Sequence, residues 1–191
     1  LMARSVEFGR RYNVPIIVKS TFKNNEGTEV KEKVMEEALV SGVTHNKKEV
    51  KFTLFEVPDQ PGIAGTVFGS LSEIGINVDM IVQNVSKDSI TDISFTAPTE
   101  QKDKVEKELI KISKELDAKG YDIDENVGRL SIIGAGMKSE SGVASKMFKI
   151  LGEHSINISM ISTSPIRISC VIDSKDIETA LEVLHKEFIE K

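Results

Sequence analysis

Residues 52–86 read FTLFEVPDQPGIAGTVFGSLSEIGINVDMIVQNVS, and this stretch decides how the chain folds. Alternating apolar residues predict a strand over Val50–Val57. The turn at residues 58–62 follows, and apolar residues at helical spacing predict a helix over Pro61–Ile74, with the proline in its first turn. A second strand is expected over Ile76–Val85.

The chain contains this stretch twice. Gly62 corresponds to Gly142, 80 positions later, and the same spacing relates Asn77 to Asn157. A register held over about twenty residues indicates a duplicated structural unit.

Both copies follow one order of elements. In the first copy a strand, a helix and a short strand complete the unit, at Ile90–Ala97, Thr99–Ala118 and Tyr121–Ile123. The second copy is expected to contain Leu130–Ile133, a helix over Ser141–His154, strands Ile156–Ser162 and Ile166–Ile172, and a last helix capped by Ser174. The βαββαβ order predicts two ferredoxin-like α+β domains in tandem.

A strand outside both copies is predicted at Leu39–His45, closed by a polar turn at residues 46–48. The second copy ends without a fourth strand, and an open sheet edge is a liability. We therefore predict that Leu39–His45 completes the second domain. The predicted domains are 49–126 for the first and 39–48 plus 127–191 for the second.

Residues 1–38 precede both domains. They are expected to hold the end of a helix up to Tyr12, a strand at Ile16–Ser20, a polar loop over Thr21–Lys33 and a short piece at Val34–Ala38.

The composition of the chain argues against several classes of function. Apolar residues make up 39% and charged residues 29%, as in ordinary globular proteins. A net charge of −5 argues against a nucleic-acid partner. No apolar run approaches the ~20 residues of a membrane helix, and no secretory signal is visible. The single cysteine, Cys170, excludes an internal disulfide and is expected to be a buried core thiol.

The turn around Asp59 is the candidate ligand site. A helix N-terminus offers free N–H groups that suit a carboxylate, and an acidic side chain such as Asp59 can hold an ammonium group, so the turn fits an amino acid. Alternatively, Asp59, Pro61 and Gly62 only cap the helix. Asn77 and Asn157 likewise either close a turn or face a ligand across a groove between domains.

No catalytic or metal-binding constellation is evident. The Gly134-Ala135-Gly136 segment lacks the further residues of a dinucleotide site or a P-loop. The three histidines fall in different elements without metal-ligand spacing. RNA-binding modules of this fold need aromatic residues on central strands, and aromatic residues are only 5% here.

Several segments resemble the regulatory half of bacterial aspartate kinase, which is a tandem of ACT domains. The resemblance rests on residues 59–62, 76–86, 91–96, 127–139 and 161–169, and it covers nearly the whole chain. Residues 12–16 and 27–28 resemble the end of that family's kinase domain, so residues 1–38 are expected to be its remnant and a linker. Pro165 stands where the family usually has Glu.

The resemblance implies a parent enzyme that phosphorylates the β-carboxylate of L-aspartate with Mg-ATP, towards lysine, threonine and methionine. This chain lacks the kinase domain, so it is expected to be inactive alone, to bind no cofactor or metal itself, and to work in the cytoplasm. Some members make a separate regulatory subunit from an internal start, which Met2 fits.

The resemblance also implies effectors and partners. ACT domains of this family pair across a dimer, and threonine or lysine binds at their interfaces and inhibits the kinase domain or catalytic subunit. Asp79 and Ser86 match positions associated with lysine binding or resistance to feedback. The expected effector-binding residues are Asp59, Pro61, Gly62, Ile63, Ala64, Asp79, Gln83 and Ser86 of the first domain, with Asn157 and Ile158 of the second.

The two copies differ in their turns. Ser139 and Ser141 stand where the first copy has Asp59 and Pro61, so the two sites are expected to differ in ligand or affinity. Two other functions stay open from the residues alone: a self-contained enzyme on the same fold, or a stand-alone ACT-type module for amino-acid binding or association without a kinase partner.

Overall fold

The computed structural model of the protein describes residues 1–22, 25–30, 39–84, 89–138 and 141–190. It divides into two compact units, Leu1–Glu37 and Ala38–Lys191. In the first unit, helix α1 (Ala3–Arg11) precedes an antiparallel pair formed by β1 (Ile16–Val18) and β2 (Thr28–Val30). The loop prediction over Thr21–Lys33 is therefore wrong at β2, where the chain pairs with β1. The piece expected at residues 34–38 lies outside the described residues.

The second unit is built on one antiparallel six-stranded sheet of order β4-β5-β3-β6-β8-β7. Its elements are β3 (Gly42–Pro58), α2 (Ile63–Glu73), β4 (Ile81–Gln83), β5 (Ile90–Pro98), α3 (Lys102–Glu115), β6 (Gly120–Ile133), α4 (Val143–Glu153), β7 (Ile158–Ser164), β8 (Arg167–Asp173) and α5 (Ile177–Phe188). The predicted α+β fold of two tandem ferredoxin-like domains is confirmed.

The two central strands each serve both domains. Residues 42–46 of β3 pair with residues 129–133 of β6, and residues 51–55 of β3 pair with residues 120–124 of β6. The second domain thus takes its fourth strand from before the first, as predicted. The turn predicted at residues 46–48 is wrong, because the strand continues and register irregularities on either side of Glu49 absorb the change of partner. The strands predicted at 121–123 and 130–133 are likewise one strand, β6.

Three buried clusters stabilise the sheet. Helices α2 and α3 cover one cluster with residues such as Phe52 and Phe95, and α4 and α5 cover a second with residues such as Leu130 and Ile132. A third cluster comprises Met80, Val127, Met160 and Val171. Side chains alternate between the faces of a strand, so Val171, between Cys170 and Ile172 of the second cluster, points to the face away from α4 and α5.

The outermost strands β4 and β7 contact each other although they lie at opposite edges of the sheet. The sheet is therefore curved enough to bring its two edges together. This curvature places the outer strand of the first domain beside the outer strand of the second.

Several predicted boundaries differ from the structure. The strand predicted over Ile76–Val85 is confined to Ile81–Gln83 within the described residues. Ser174 does not cap the last helix; it lies in a single 3₁₀ turn, where the carboxylate of Asp173 accepts a hydrogen bond from the Lys175 amide at 3.0 Å. Cys170 is buried as expected, and burial raises its pKa to about 12.

Among the described residues, no helix is long and apolar enough to span a bilayer. Within the same ranges, no group of three or more His, Cys, Asp or Glu side chains is arranged to hold a metal ion.

Candidate effector site

The turn between β3 and α2 is set by glycine. β3 ends at Pro58, and Gly62 precedes α2 with a left-handed φ of 99°. Gly142 precedes α4 with a φ of 98°, and the two helices have the same length. The duplication read from the sequence therefore extends to the backbone of the two turns.

The start of α2 has free hydrogen-bonding capacity. Gly62 is the N-cap residue of the helix, and no side chain caps it, so the capping alternative is right for Gly62 and wrong for Asp59. Within the described part of the chain, the amides of Ala64 and Gly65 donate to no acceptor, and the exposed carboxylate of Asp59 accepts no hydrogen bond. Pro61 and Gly62 are exposed, and Ile63 is half-buried against the first-domain cluster. The turn thus offers N–H donors and an acidic group within one short segment, residues 59–65.

Gln83 lies at the same end of the strands as this turn. β3 and β4 both run antiparallel to β5, so both end where β5 begins. Gln83 pairs with Ile93, and the Asp59 amide donates to the Ser89 carbonyl at 2.8 Å. The exposed side chain of Gln83 is therefore on the outermost strand, at the same end of the sheet as the turn, with β5 between them. Ser86, the other predicted residue of this segment, lies outside the described residues.

Asn157 immediately precedes β7, the outermost strand of the second domain, and Ile158 is the first residue of that strand. Asn157 is exposed, and its side chain makes no hydrogen bond within the described ranges, so it does not close a turn there. Ile158 is half-buried against the second-domain cluster. The contact between β4 and β7 brings the strand of Gln83 beside the strand of Ile158 within one chain. That these residues share one ligand stays a prediction.

Asp79 is placed differently from the rest of the predicted set. Its carboxylate forms an ion pair with Nη1 of Arg129 on β6. Nη2 of Arg129 lies 3.0 Å from Oε1 of Glu49 on β3, and the side-chain Nδ2 of Asn46 donates to the same oxygen at 2.9 Å. Asp79 is therefore engaged by a cation of its own chain.

Glu49 is the buried end of this network, with 3% of its surface exposed. Its second oxygen, Oε2, accepts no hydrogen bond of normal geometry within the described residues. Burial raises the pKa of Glu49, and the nearby Asp79 charge adds to that rise. The Arg129 charge and the Asn46 hydrogen bond act in the opposite direction but do not cancel it.

Sequence reasoning assigned no role to Glu49 or Arg129. One signal was present: the two residues are separated by the same 80 positions that relate the two copies. Opposite charges at equivalent positions of two copies can form an ion pair where the copies meet. The sequence does not show that they meet there, because this depends on the register between β3 and β6.

Comparisons with known proteins match the duplication. ACT domain families match residues 52–114 and residues 130–188. Aspartate kinase of Pseudomonas fluorescens (strain SBW25) is 44% identical over 191 residues, which is 98% of this chain and 46% of that protein. The chain spans about half the length of the curated relatives it matches.

Two solved structures cover the chain's domains with clear sequence identity. The crystal structure of aspartokinase alpha and beta subunits is 40% identical with a TM-score of 0.74, covering 78% of this chain and 98% of that one. The ligand-free regulatory subunit of aspartate kinase from Thermus thermophilus is 35% identical with a TM-score of 0.74, covering 78% and 99%. The chain belongs to the aspartate kinase family, as a regulatory region built from two tandem ACT domains.

Proposed function

We propose that this regulatory region binds threonine or lysine at the turn between β3 and α2, and that this binding inhibits the kinase of the whole protein. The observation that carries the proposal is the turn itself, where the unpaired Ala64 and Gly65 amides lie close in sequence to the free carboxylate of Asp59.

The chemistry of the turn fits a free amino acid. Amide N–H groups at a helix N-terminus donate hydrogen bonds to a carboxylate, and the helix dipole favours its negative charge. Asp59 supplies the opposite charge for the ammonium group. Gln83 on β4, with Asn157 and Ile158 at the start of β7, supplies the polar and apolar groups that select the side chain. Because these residues come from both domains, a ligand that contacts all of them favours the relative position of the two domains in which they lie close together.

The outer strands support assembly through the ACT domains. Each of β4 and β7 has an edge without a strand partner among the described residues. Ile81 and Ile161, which are equivalent in the two copies, are 50% and 44% exposed there. Apolar side chains on open edges suit pairing with a second copy, so we propose a homodimer that transmits effector occupancy to the kinase domain or catalytic subunit.

Residues 1–38 are proposed to be the end of the kinase part and a linker. Phe8, Tyr12 and Ile17 of this unit are 46%, 64% and 56% exposed, as expected of a surface that further chain covers. Mg-ATP and aspartate are then bound by the kinase part, in the cytoplasm. The chain alone would bind neither and would not phosphorylate aspartate.

Calorimetry of the chain with threonine and with lysine tests the effector proposal. We expect at least one to bind, and Asp59→Ala to weaken that binding about tenfold or more, since a charged hydrogen bond is lost. Asp103→Ala is the matched control, because Asp103 is an exposed aspartate in the first turn of α3. The proposal is wrong if neither amino acid binds, or if Asp59→Ala and Asp103→Ala have equal affinities.

A further inference from the structure

Arg129 joins two acidic groups from distant parts of the chain. Glu49 lies on β3, between the residues that pair with the second domain and those that pair with the first. Asp79 lies in the segment that leads into β4. The guanidinium places one nitrogen against each carboxylate, a geometry that its planar group allows and a lysine ammonium does not reproduce.

The network is asymmetric between the two copies. Glu49 and Arg129 occupy equivalent positions, 80 residues apart. The equivalent of Asp79 is Ser159, whose hydroxyl donates to the Val171 carbonyl at 3.1 Å. The segment before β4 therefore carries an acidic residue that pairs with Arg129, whereas the equivalent position in the second domain carries the uncharged Ser159.

Asp79 lies within the segment that bears the proposed effector residues of β4. Its amide donates to the Thr96 carbonyl at 3.0 Å, and the Met80 amide donates to the Thr96 hydroxyl at 3.3 Å. Asn77 lies two residues before it and Gln83 four residues after it. Anchoring the Asp79 side chain to β6 therefore fixes where this segment enters β4, and so where Gln83 is presented.

Glu49 holds the guanidinium in place. Arg129 has 15% of its side chain exposed and Glu49 3%, so breaking their pair would leave a charge with little access to water. Glu49 on β3 therefore fixes the position of the guanidinium. Asp79, with 42% of its side chain exposed, is the partner that can move.

We propose that Arg129 and Glu49 are positioning residues of the first-domain effector site. They hold Asp79, and through it the segment 77–83, in the arrangement that binds the effector, and they connect that segment to the strand on which the second domain is built. The inference rests on the proposed function, because it concerns the affinity of the same site.

The test separates positioning from stability. Arg129→Met alone leaves the buried Glu49 carboxyl without its cation, at the cost of either a buried charge or the uptake of a proton, so this variant is expected to be destabilised. The double variant Glu49→Gln/Arg129→Met removes both charges and is expected to recover most of the stability in urea unfolding. Its affinity for threonine or lysine, measured by calorimetry, is expected to remain about tenfold weaker than wild type, since Asp79 still lacks its partner.

A third substitution asks whether the residues act together. Asp79→Asn is expected to weaken binding about tenfold in the wild-type background and not at all in the double variant, because the same contact is already lost. Lys102→Met is the control, since it removes a first-domain ion pair with Glu125 that does not touch this segment; its affinity should equal that of wild type.

Two results would overturn the inference while the proposed function stands. One is wild-type affinity in the stable double variant. The other is an Asp79→Asn effect of equal size in both backgrounds. A wild-type chain that binds neither amino acid overturns the proposed function together with this inference, so the two failures are distinguishable.

Discussion

Single residues set the geometry of the strand ends in this fold. Gly62 and Gly142 both adopt left-handed backbone immediately before a helix, which an L side chain rarely does. Gly134 acts through space instead. A Cβ at Gly134 would lie 2.3 Å from the Leu39 carbonyl oxygen and 2.7 Å from the Val40 Cα. The missing side chain at Gly134 thus lets residues 39–40, just before β3, pass close to the end of β6.

Gly134→Ala is expected to destabilise the protein by about 1–3 kcal/mol, because the clash is with backbone atoms that cannot rotate away. Urea unfolding followed by circular dichroism measures the change. Gly69→Ala is the matched control: Gly69 lies within α2, and a Cβ there meets nothing within 4 Å. It is expected to stabilise by about 0.5–1 kcal/mol. Equal effects of the two substitutions would contradict the role assigned to Gly134.

At the scale of elements, helices were predictable from local pattern and strand continuity was not. The spacing of apolar residues located α2 and α4 to within two residues, because each helix buries one face of its own sequence. The residues Asn46-Lys47-Lys48 indicated a turn because they are polar. In the structure they are part of β3. They link its residues 42–46, which pair with 129–133 of β6, to its residues 51–55, which pair with 120–124.

The candidate site shows the same division. The turn at Asp59 was predictable, because its glycine and its charge are local features. The ion pair of Asp79 with Arg129 was not, because the order of the strands in the sheet brings together two residues that are 50 positions apart in the chain. The turn and its helix are encoded by neighbouring residues, whereas the ion pair is created by long-range strand pairing that the local pattern does not contain.

The strand before the first domain allows an element-scale prediction. A chain starting at residue 38 is expected to unfold cooperatively, because residues 38–191 form a compact unit. A chain starting at residue 49 loses the fourth strand of the second domain and Val40, which is 4% exposed in that domain's cluster. We expect it to be less stable by at least about 3 kcal/mol. Urea unfolding of both chains measures this, and equal midpoints and slopes would contradict the prediction.

At the scale of the whole unit, the two domains have separate helix-covered clusters but not separate sheets. β3 and β6 contribute paired residues to both domains, and the third cluster joins Met80 of the first to Met160 of the second. A change in one domain therefore acts on strands that the other domain also uses. If the proposed effector binds at the turn before α2, these shared strands are the structural elements through which it would affect the second domain.

This sharing predicts that residues 38–191 unfold in one transition. Leu109→Ala in α3 and Leu184→Ala in α5 each remove a fully buried side chain, one from each domain, and each is expected to cost about 2–5 kcal/mol. Ile110→Ala is the control, since Ile110 is 39% exposed on α3, and it should cost less than about 1 kcal/mol.

Urea unfolding, together with amide hydrogen exchange resolved by domain, measures these effects. Each buried substitution should lower protection in both domains, because the strands of one cannot open without those of the other. Loss of protection confined to the substituted domain, or two separated transitions, would show that the shared strands do not couple the domains.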